Sequence, residues 1–268
     1  MNKNNREIII NIQEKMISLL DENGEKRLVP IYSQEGFRLL SGIWLKQEWN
    51  QLHWQSFSWL GFQIWQFPED LLRLQEVISM LKPDVIVETG VNRGGSTVFF
   101  ASICRMLGKG RVVSVDIHIP ADVRQAIEQS AFSDLISLIE GDSISTNVVD
   151  AVRKKIKKYD NVFVFLDSNH TRDHVLRELN AYSSMVTTGS YIVATDGVMR
   201  YLADTPCGQK GWVTDNPAAA AREFVQKNTD FTIQRPKTIY GEQYVIEELT
   251  YWPDAWLYRT SNTNGRSV

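Results

Sequence analysis

The 268-residue chain is poor in the features that would assign it to several protein classes. Its two cysteines, Cys104 and Cys207, are too few for a disulfide framework, and the count fits a reducing compartment. No stretch approaches the roughly 20 apolar residues that span a bilayer. The apolar start, Ile8-Ile9-Ile10, meets Gln13 and Glu14 too soon to be a secretion-signal core. An excess of one charge is also lacking. The 29 Lys and Arg against 32 Asp and Glu leave a net charge of −3, which argues against a broad electrostatic grip on nucleic acid. Together these absences describe a soluble, cytoplasmic protein with no membrane span and no nucleic-acid partner.

What is present is an ordinary globular composition, 43% hydrophobic and 23% charged, with one oddity. Of eight tryptophans, five (Trp44, Trp49, Trp54, Trp59 and Trp65) crowd into one short segment. Their spacings of 5, 5, 5 and 6 fit neither one helix face nor one strand face. They serve either core or subunit packing, or the lining of a pocket in which flat indole faces cover a ligand ring.

Residues 6–22 place Ile9, Ile12, Met16, Leu19 and Leu20 at helical spacing, which predicts an amphipathic helix stopped by Asn23-Gly24. Residues 25–66 carry no assignable period. Pro68 then opens a helix that keeps Leu71, Leu74, Ile78 and Leu81 on one face and ends at Lys82-Pro83. Beyond it, short Val- and Ile-rich runs at 84–88, 111–115, 136–139, 162–166 and 190–194 alternate with helix-like stretches. Three of those stretches are explicit: 96–107, 145–158 and 171–182. Continuous apolar strands alternating with helices imply an α/β fold, with a mostly parallel sheet covered on both faces. A polar loop after 197 leads to Asn216-Pro217 and an Ala-rich helix to about Lys227, then strand-like runs at 231–234, 243–248 and 255–259. A disordered tail is expected over 260–268. The basic run 153–158 reads as the solvated end of a helix.

In an open parallel sheet, ligands bind outside the carboxyl ends of the strands. Those ends are rich in carboxylates and glycines. The first, Val87-Glu88-Thr89-Gly90-Val91-Asn92-Arg93-Gly94-Gly95-Ser96, is a strand running through a glycine-rich loop into a helix. It lacks the Gly-x-Gly-x-x-Gly spacing of dinucleotide sites, and Glu88 would repel a pyrophosphate but suits an ammonium. The second ends at Asp116, an acceptor-only fork suited to ribose hydroxyls. The third reads Glu140-Gly141-Asp142-Ser143, where Asp142 and Ser143 either frame an adenine edge or cap the next helix. The fourth and fifth end in Asp167-Ser168-Asn169-His170 and Asp196-Gly197. Asp167 and Asp196 on one rim suit Mg²⁺, which takes few protein ligands and keeps water and substrate oxygens. His170, one turn past Asp167, is placed to take a proton from a hydroxyl.

In these motifs and their order the chain resembles the cephalosporin hydroxylase / rhamnosyl O-methyltransferase family. The residues that carry the resemblance run from Trp59-Leu60-Gly61 and Pro68-Glu69-Asp70-Leu71 through Glu88-Thr89-Gly90 and Leu166-Asp167-Ser168-Asn169-His170 to Trp256-Leu257-Tyr258-Arg259. The resemblance implies a Rossmann-like, S-adenosylmethionine-dependent methyltransferase with a seven-stranded sheet and a late antiparallel strand. It implies that Glu88, Gly90, Gly94 and Ser96 hold the methionine end of the cofactor, Asp116 its ribose, and Asp142 with Ser143 its adenine. Asp167 and Asp196 match metal positions of related enzymes. Where some relatives carry an acidic residue just before Asp196, this chain has Thr195, which implies a metal held loosely or only with substrate.

The resulting expectation is a Mg²⁺-assisted O-methyltransferase acting on a hydroxyl of a sugar, polysaccharide or glycosylated product, with His170 and Asp167 catalytic. It would be a homo-oligomer built from a helical, Trp-rich extension (1–66) and a methyltransferase domain (67–259). The competing readings are a catalytically silent S-adenosylmethionine-binding or assembly protein, and a nicotinamide-dependent oxidoreductase. The loop from Met199 to Asp215 is either a lid over the acceptor or a surface connector.

Overall fold

The computed structural model describes residues 5–240 and 249–260. Its N-terminal part overturns the helix expected over 6–22. Strands β1 (Asn5–Asn11), β2 (Met16–Asp21) and β3 (Lys26–Pro30) form an antiparallel sheet in that order. The apolar spacing suits a helix only if the chain runs on unbroken, and it does not. Asn11 Oδ1 accepts from the Glu14 amide at 3.0 Å and Lys15 takes a left-handed φ of 55°, so the chain reverses between two apolar runs. Within β2 the working period is two: Ile17 and Leu19 are buried against Val29 and Leu39.

The segment that showed no period begins with α1 (Gln34–Asn50), whose N-cap Ser33 accepts from the Gly36 amide at 3.0 Å. A small hairpin, β4 (Ser58–Trp59) and β5 (Phe62–Gln63), follows. Then α2 (Pro68–Leu81) opens on proline and stops at Lys82, in a left-handed conformation, as the sequence predicts.

The main sheet is built from β6 (Val85–Thr89), α3 (Gly95–Leu107), β7 (Arg111–Asp116), α4 (Ala121–Glu128), β8 (Ile136–Glu140), α5 (Thr146–Lys154), β9 (Val162–Leu166), α6 (Arg172–Tyr182), β10 (Tyr191–Ala194), α7 (Pro217–Lys227), β11 (Phe231–Ile233) and β12 (Trp256–Arg259). Its strand order is β11-β12-β10-β9-β6-β7-β8, parallel from β10 to β8, with β12 antiparallel to both its neighbours. This is the seven-stranded, mostly parallel sheet with a late antiparallel strand that the family resemblance implies.

Both faces of the sheet are covered, which is why its central strands read as continuous apolar runs. Alternate side chains divide between two cores. Ile86, Phe163, Phe165 and Val193 pack with α2 and α3, while Val87, Val164, Ile192 and Ala194 pack with α5, α6 and α7. Two details differ from the sequence reading. The gap between β7 and β8 holds α4, whose Val123 and Ile127 pack on Val91 and Val98. Helix α5 ends at Lys154 instead of Lys158, although Ile156 still packs inward. The strand-like run at 243–248 and residues 261–268 of the expected tail lie outside the described residues, while Thr260 donates its amide to Asp230 O at 2.9 Å. Among the described residues, no helix is long and apolar enough to cross a membrane.

Candidate functional site

Strands β6 and β9 are neighbours, but the chain reaches β9 only after building β7 and β8 on the far side of β6. The carboxyl ends of β6 and β9 therefore flank the point where strand order reverses. Gly90 shows how tightly the two exits meet. Its φ is +98°, and a Cβ built there would lie 2.1 Å from the Asp167 carbonyl oxygen. Only glycine allows both the left-handed turn and that approach. A cleft of about 660 Å³ opens above this point, a size typical of small-molecule sites.

One side of the cleft is formed by the loop after β6, the start of α3 and the ends of β7 and β8. Val91, Asn92, Ser96, Asp116, Asp142 and Ser143 all line it. Asp116 Oδ2 accepts from the amides of Val91 (2.8 Å) and Asn92 (2.9 Å), so this carboxylate shapes the glycine-rich loop from the neighbouring strand. Its Oδ1 accepts, among the described residues, only from the His118 amide, at 3.2 Å. Ser143 is buried, with its hydroxyl 3.2 Å from His174 Nε2, and its carbonyl accepts from Tyr182 Oη at 2.8 Å.

Two residues assigned to the cofactor stand behind the wall. Glu88 is fully buried, and one oxygen accepts from Thr97 and Ser114, each at 2.6 Å. Its other oxygen, Oε1, has no hydrogen-bond partner among the described residues. Burial pushes this carboxyl above the usual carboxylate range, and the hydroxyls around it partly offset that. Gly94 caps α3 with φ +82° and faces Ile127.

The β9 and β10 side brings together the residues the sequence selected for a metal and a base. Ligand atoms of Asp167, His170 and Asp196 lie within 4.8 Å of one another. Asp196 takes a left-handed φ of 59°, and its Oδ2 is 3.5 Å from His170 Nε2. Asp167 is held by two further groups. Gln66 Nε2 donates to Oδ2 at 2.6 Å, and the Thr195 hydroxyl donates to Oδ1. Burial, and then repulsion by Asp196, pushes Asp167 up to about 8, while burial pushes Asp196 up to about 7. Asp196 keeps 18% of its side-chain surface open to the cleft, so water tempers this rise without reversing it.

The third wall is aromatic. Trp49, Trp54, Trp65 and Trp212 line it with Met199. Consecutive rings are in contact: Trp65 and Trp54 at 5.5 Å, Trp54 and Trp49 at 5.4 Å, Trp49 and Trp212 at 6.3 Å. Trp212 comes from the 199–215 loop, which is tied to α1 where Lys46 Nζ meets Asp204 (2.6 Å) and the Cys207 amide meets Asn50 Oδ1 (3.1 Å). Trp59, which the motif singled out, lies elsewhere. It packs edge-on against Phe99 and donates to Ser102 Oγ at 3.0 Å.

Sequence reading gave no site role to Gln66 or to His174. His174 meets the buried Glu178 one turn later (3.6 Å), and this contact holds its imidazole above the usual histidine range. The signal was available as a His/Glu pair at i, i+4. For Gln66 no local signal existed, because its partner Asp167 is 101 residues away.

Comparison with known proteins bears on this geometry. A family model described as Rhamnosyl O-methyltransferase/CmcI matches residues 51–260. Rhamnosyl O-methyltransferases of Mycobacterium bovis and Mycobacterium leprae are each 29% identical to the chain, over 154 and 145 residues. Those stretches are 56% and 53% of this chain, and in both cases span about 61% of the relative's length. Among solved structures, CmcI-N160 without ligand gives a TM-score of 0.52 at 17% identity, covering 77% of each chain. The cmcI-D160 form with Mg and SAM gives 0.51 at 16%, covering 77% of this chain and 78% of that one. The MycE methyltransferase of the mycinamycin biosynthetic pathway, in complex with Mg, SAH and mycinamycin VI, gives 0.50 at 16%, covering 82% and 54%. At such identities the likeness speaks for the fold.

Proposed function

The chain belongs to the rhamnosyl O-methyltransferase/CmcI family, and on that premise we propose that it is a Mg²⁺-assisted O-methyltransferase. Its methyl donor would be S-adenosylmethionine, and its acceptor a hydroxyl of a sugar, polysaccharide or glycosylated product. One observation carries the reading: the Asp167/His170/Asp196 cluster opens into the same cleft as the glycine-rich loop, Asp116 and Asp142.

The residues fit both groups. Two half-buried carboxylates that repel each other are an oxygen donor set that a divalent cation would neutralise, and the remaining positions stay free for water and substrate. On the other side, Ser96 lines the cleft beside Asp116 Oδ1 and Asp142, which offer acceptors. Glu88, behind the loop, adds negative potential near the place where a sulfonium or ammonium would lie. Bound there, S-adenosylmethionine would supply the methyl electrophile and Mg²⁺ the Lewis acid that acidifies an acceptor hydroxyl.

Everything else falls to the chain. Gln66 and Thr195 hold Asp167 from both oxygens, which fixes the direction in which the carboxylate faces the cleft. His170 stands beside Asp196, Nε2 to Oδ2 at 3.5 Å, and is the side chain that would take the acceptor's proton. The walls around the cleft align acceptor oxygen and methyl carbon, which is the larger part of such a displacement. We keep residues 67–259 as the methyltransferase domain, in a cytoplasmic homo-oligomer.

The experiment is a pair of measurements. Calorimetry with S-adenosylmethionine, S-adenosylhomocysteine and NAD should show binding of the two adenosyl ligands. Methyl transfer to a panel of saccharides should appear with Mg²⁺ and disappear with chelator. Tight NAD binding without a response to the adenosyl ligands would overturn the function, and chelator-insensitive transfer would overturn the metal role.

A further inference from the structure

The aromatic wall has a property that the methyl-transfer reading does not use. Trp54 and Trp65 are half-buried and line the cleft, but their indole Nε1 atoms are sealed from solvent and have no hydrogen-bond partner among the described residues. What they present to the cleft is therefore ring carbon and not a donor. An indole face carries negative quadrupole charge and binds weakly positive C–H groups.

The arrangement of the rings adds shape. Trp54 and Trp65 meet at 85°, Trp49 and Trp212 at 84°, and Trp49 and Trp54 at 34°. None of these pairs forms the parallel slot that a flat aromatic ligand would enter between two faces. The rings form corners instead, and a corner receives a puckered ring by one C–H face and one edge. Gln66 follows Trp65 directly and hydrogen-bonds Asp167, so a ring seated in the corner lies next to the Asp167/His170/Asp196 cluster. Equatorial hydroxyls at its rim would then face the polar side of the cleft.

We propose that Trp54 and Trp65, backed by Trp49 and Trp212, form the acceptor subsite and that its occupant is a pyranose ring stacked by its C–H face. This rests on the methyl-transfer reading and adds which residues choose the acceptor. The subsite also needs both distant segments at once, because Trp212 reaches Trp49 only while the 199–215 loop is tied to α1. Acceptor recognition thus depends on a segment, 44–65, that lies ahead of the main sheet in sequence.

The test uses the full chain loaded with S-adenosylhomocysteine and Mg²⁺, and methyl α-L-rhamnopyranoside as the probe. Saturation-transfer NMR should show magnetisation passing from the protein to the C–H protons of the sugar ring. Trp54→Leu and Trp65→Leu should each weaken sugar binding by tenfold or more, with S-adenosylhomocysteine affinity unchanged within twofold. Trp54→Phe and Trp65→Phe should recover most of the loss, which separates a stacking face from simple bulk. Trp44→Leu, an exposed residue outside the cleft, should change nothing. The proposal is overturned if the Leu variants keep sugar affinity, if cofactor affinity falls in parallel, or if the wild type binds S-adenosylhomocysteine but ignores the sugar, whether or not it takes a catechol instead. Failure of the wild type to bind S-adenosylhomocysteine at all would instead strike the methyl-transfer reading.

Discussion

On the β6–β7 side of the switch point, Glu88 and Asp116 turn their carboxylates into the fold, towards Thr97, Ser114 and the amides of the loop. On the β9–β10 side, Asp167 and Asp196 converge with His170 on one point in the cleft, and no Lys or Arg pairs with them among the described ion pairs. The residue type and the position at a strand end are the same on both sides. What differs is the number of donors around each pair: Glu88 and Asp116 accept from Thr97, Ser114 and three backbone amides, whereas Asp167 and Asp196 accept from Gln66 and Thr195 among the described residues. The first pair stabilises the loop that would receive the cofactor. The second is left with repulsion that a cation would relieve, and that is the chemically useful state.

The largest test of this contrast is His170→Gln, which keeps a hydrogen-bonding side chain but removes the base. Steady-state methyl transfer should fall by about 10²–10⁴ in kcat, with cofactor affinity unchanged. A loss confined to KM would break the assignment. Next comes Asp196→Asn, expected to weaken Mg²⁺ or Mn²⁺ binding by about 100-fold or more in direct titrations. Gln66→Leu, which removes only the brace on Asp167, should cost about 10-fold. Equal effects would mean that Gln66 does more than orient.

On the other side of the cleft, Asp116→Ala should leave metal binding intact and lower stability by about 1–3 kcal/mol, because the buried Val91 amide loses its acceptor. Mg²⁺ titration and chemical denaturation would read the two effects. The smallest effect is on pH dependence. Without metal, Asp167 and Asp196 keep protons that the unfolded chain releases near 3.8, so their contribution to stability is fullest below that pH. It is lost as the pH rises through about 7 to 8. Melting temperature in chelator should fall by about 2–4 °C between pH 5 and pH 8 for each kcal/mol lost, and Mg²⁺ should restore it. A melting temperature that rises over that range would show the pair to be compensated after all.

The legible parts of the protein were those where one segment settles its own fate. The five parallel strands, α2 with its proline start and the α7 start at Asn216-Pro217 could be read because their apolar period and end signals are local. The carboxylates at the strand ends were legible for the same reason. The illegible parts depend on distance. The spacing over 6–22 fits a helix face, but the turn after Asn11 and pairing with β3 impose a period of two that buries Ile17 and Leu19 and leaves Ile9 and Ile12 exposed. Trp59 looked special within its motif, yet it packs against α3, while Trp49, Trp54 and Trp65 reach the cleft because α1 and the 199–215 loop bring them there.

The sequence by itself therefore determined the α/β alternation, the acidic and glycine-rich strand ends and the family, since each is written in contiguous residues. Only the tertiary structure decided that Asp116 serves the loop while Asp167 faces Asp196, that Gln66 crosses 101 residues to hold Asp167, and that four scattered tryptophans close one wall. The physical reason is that a carboxylate's role is set by the donors around it and an indole's by what covers it. Both are supplied by parts of the chain far away in sequence.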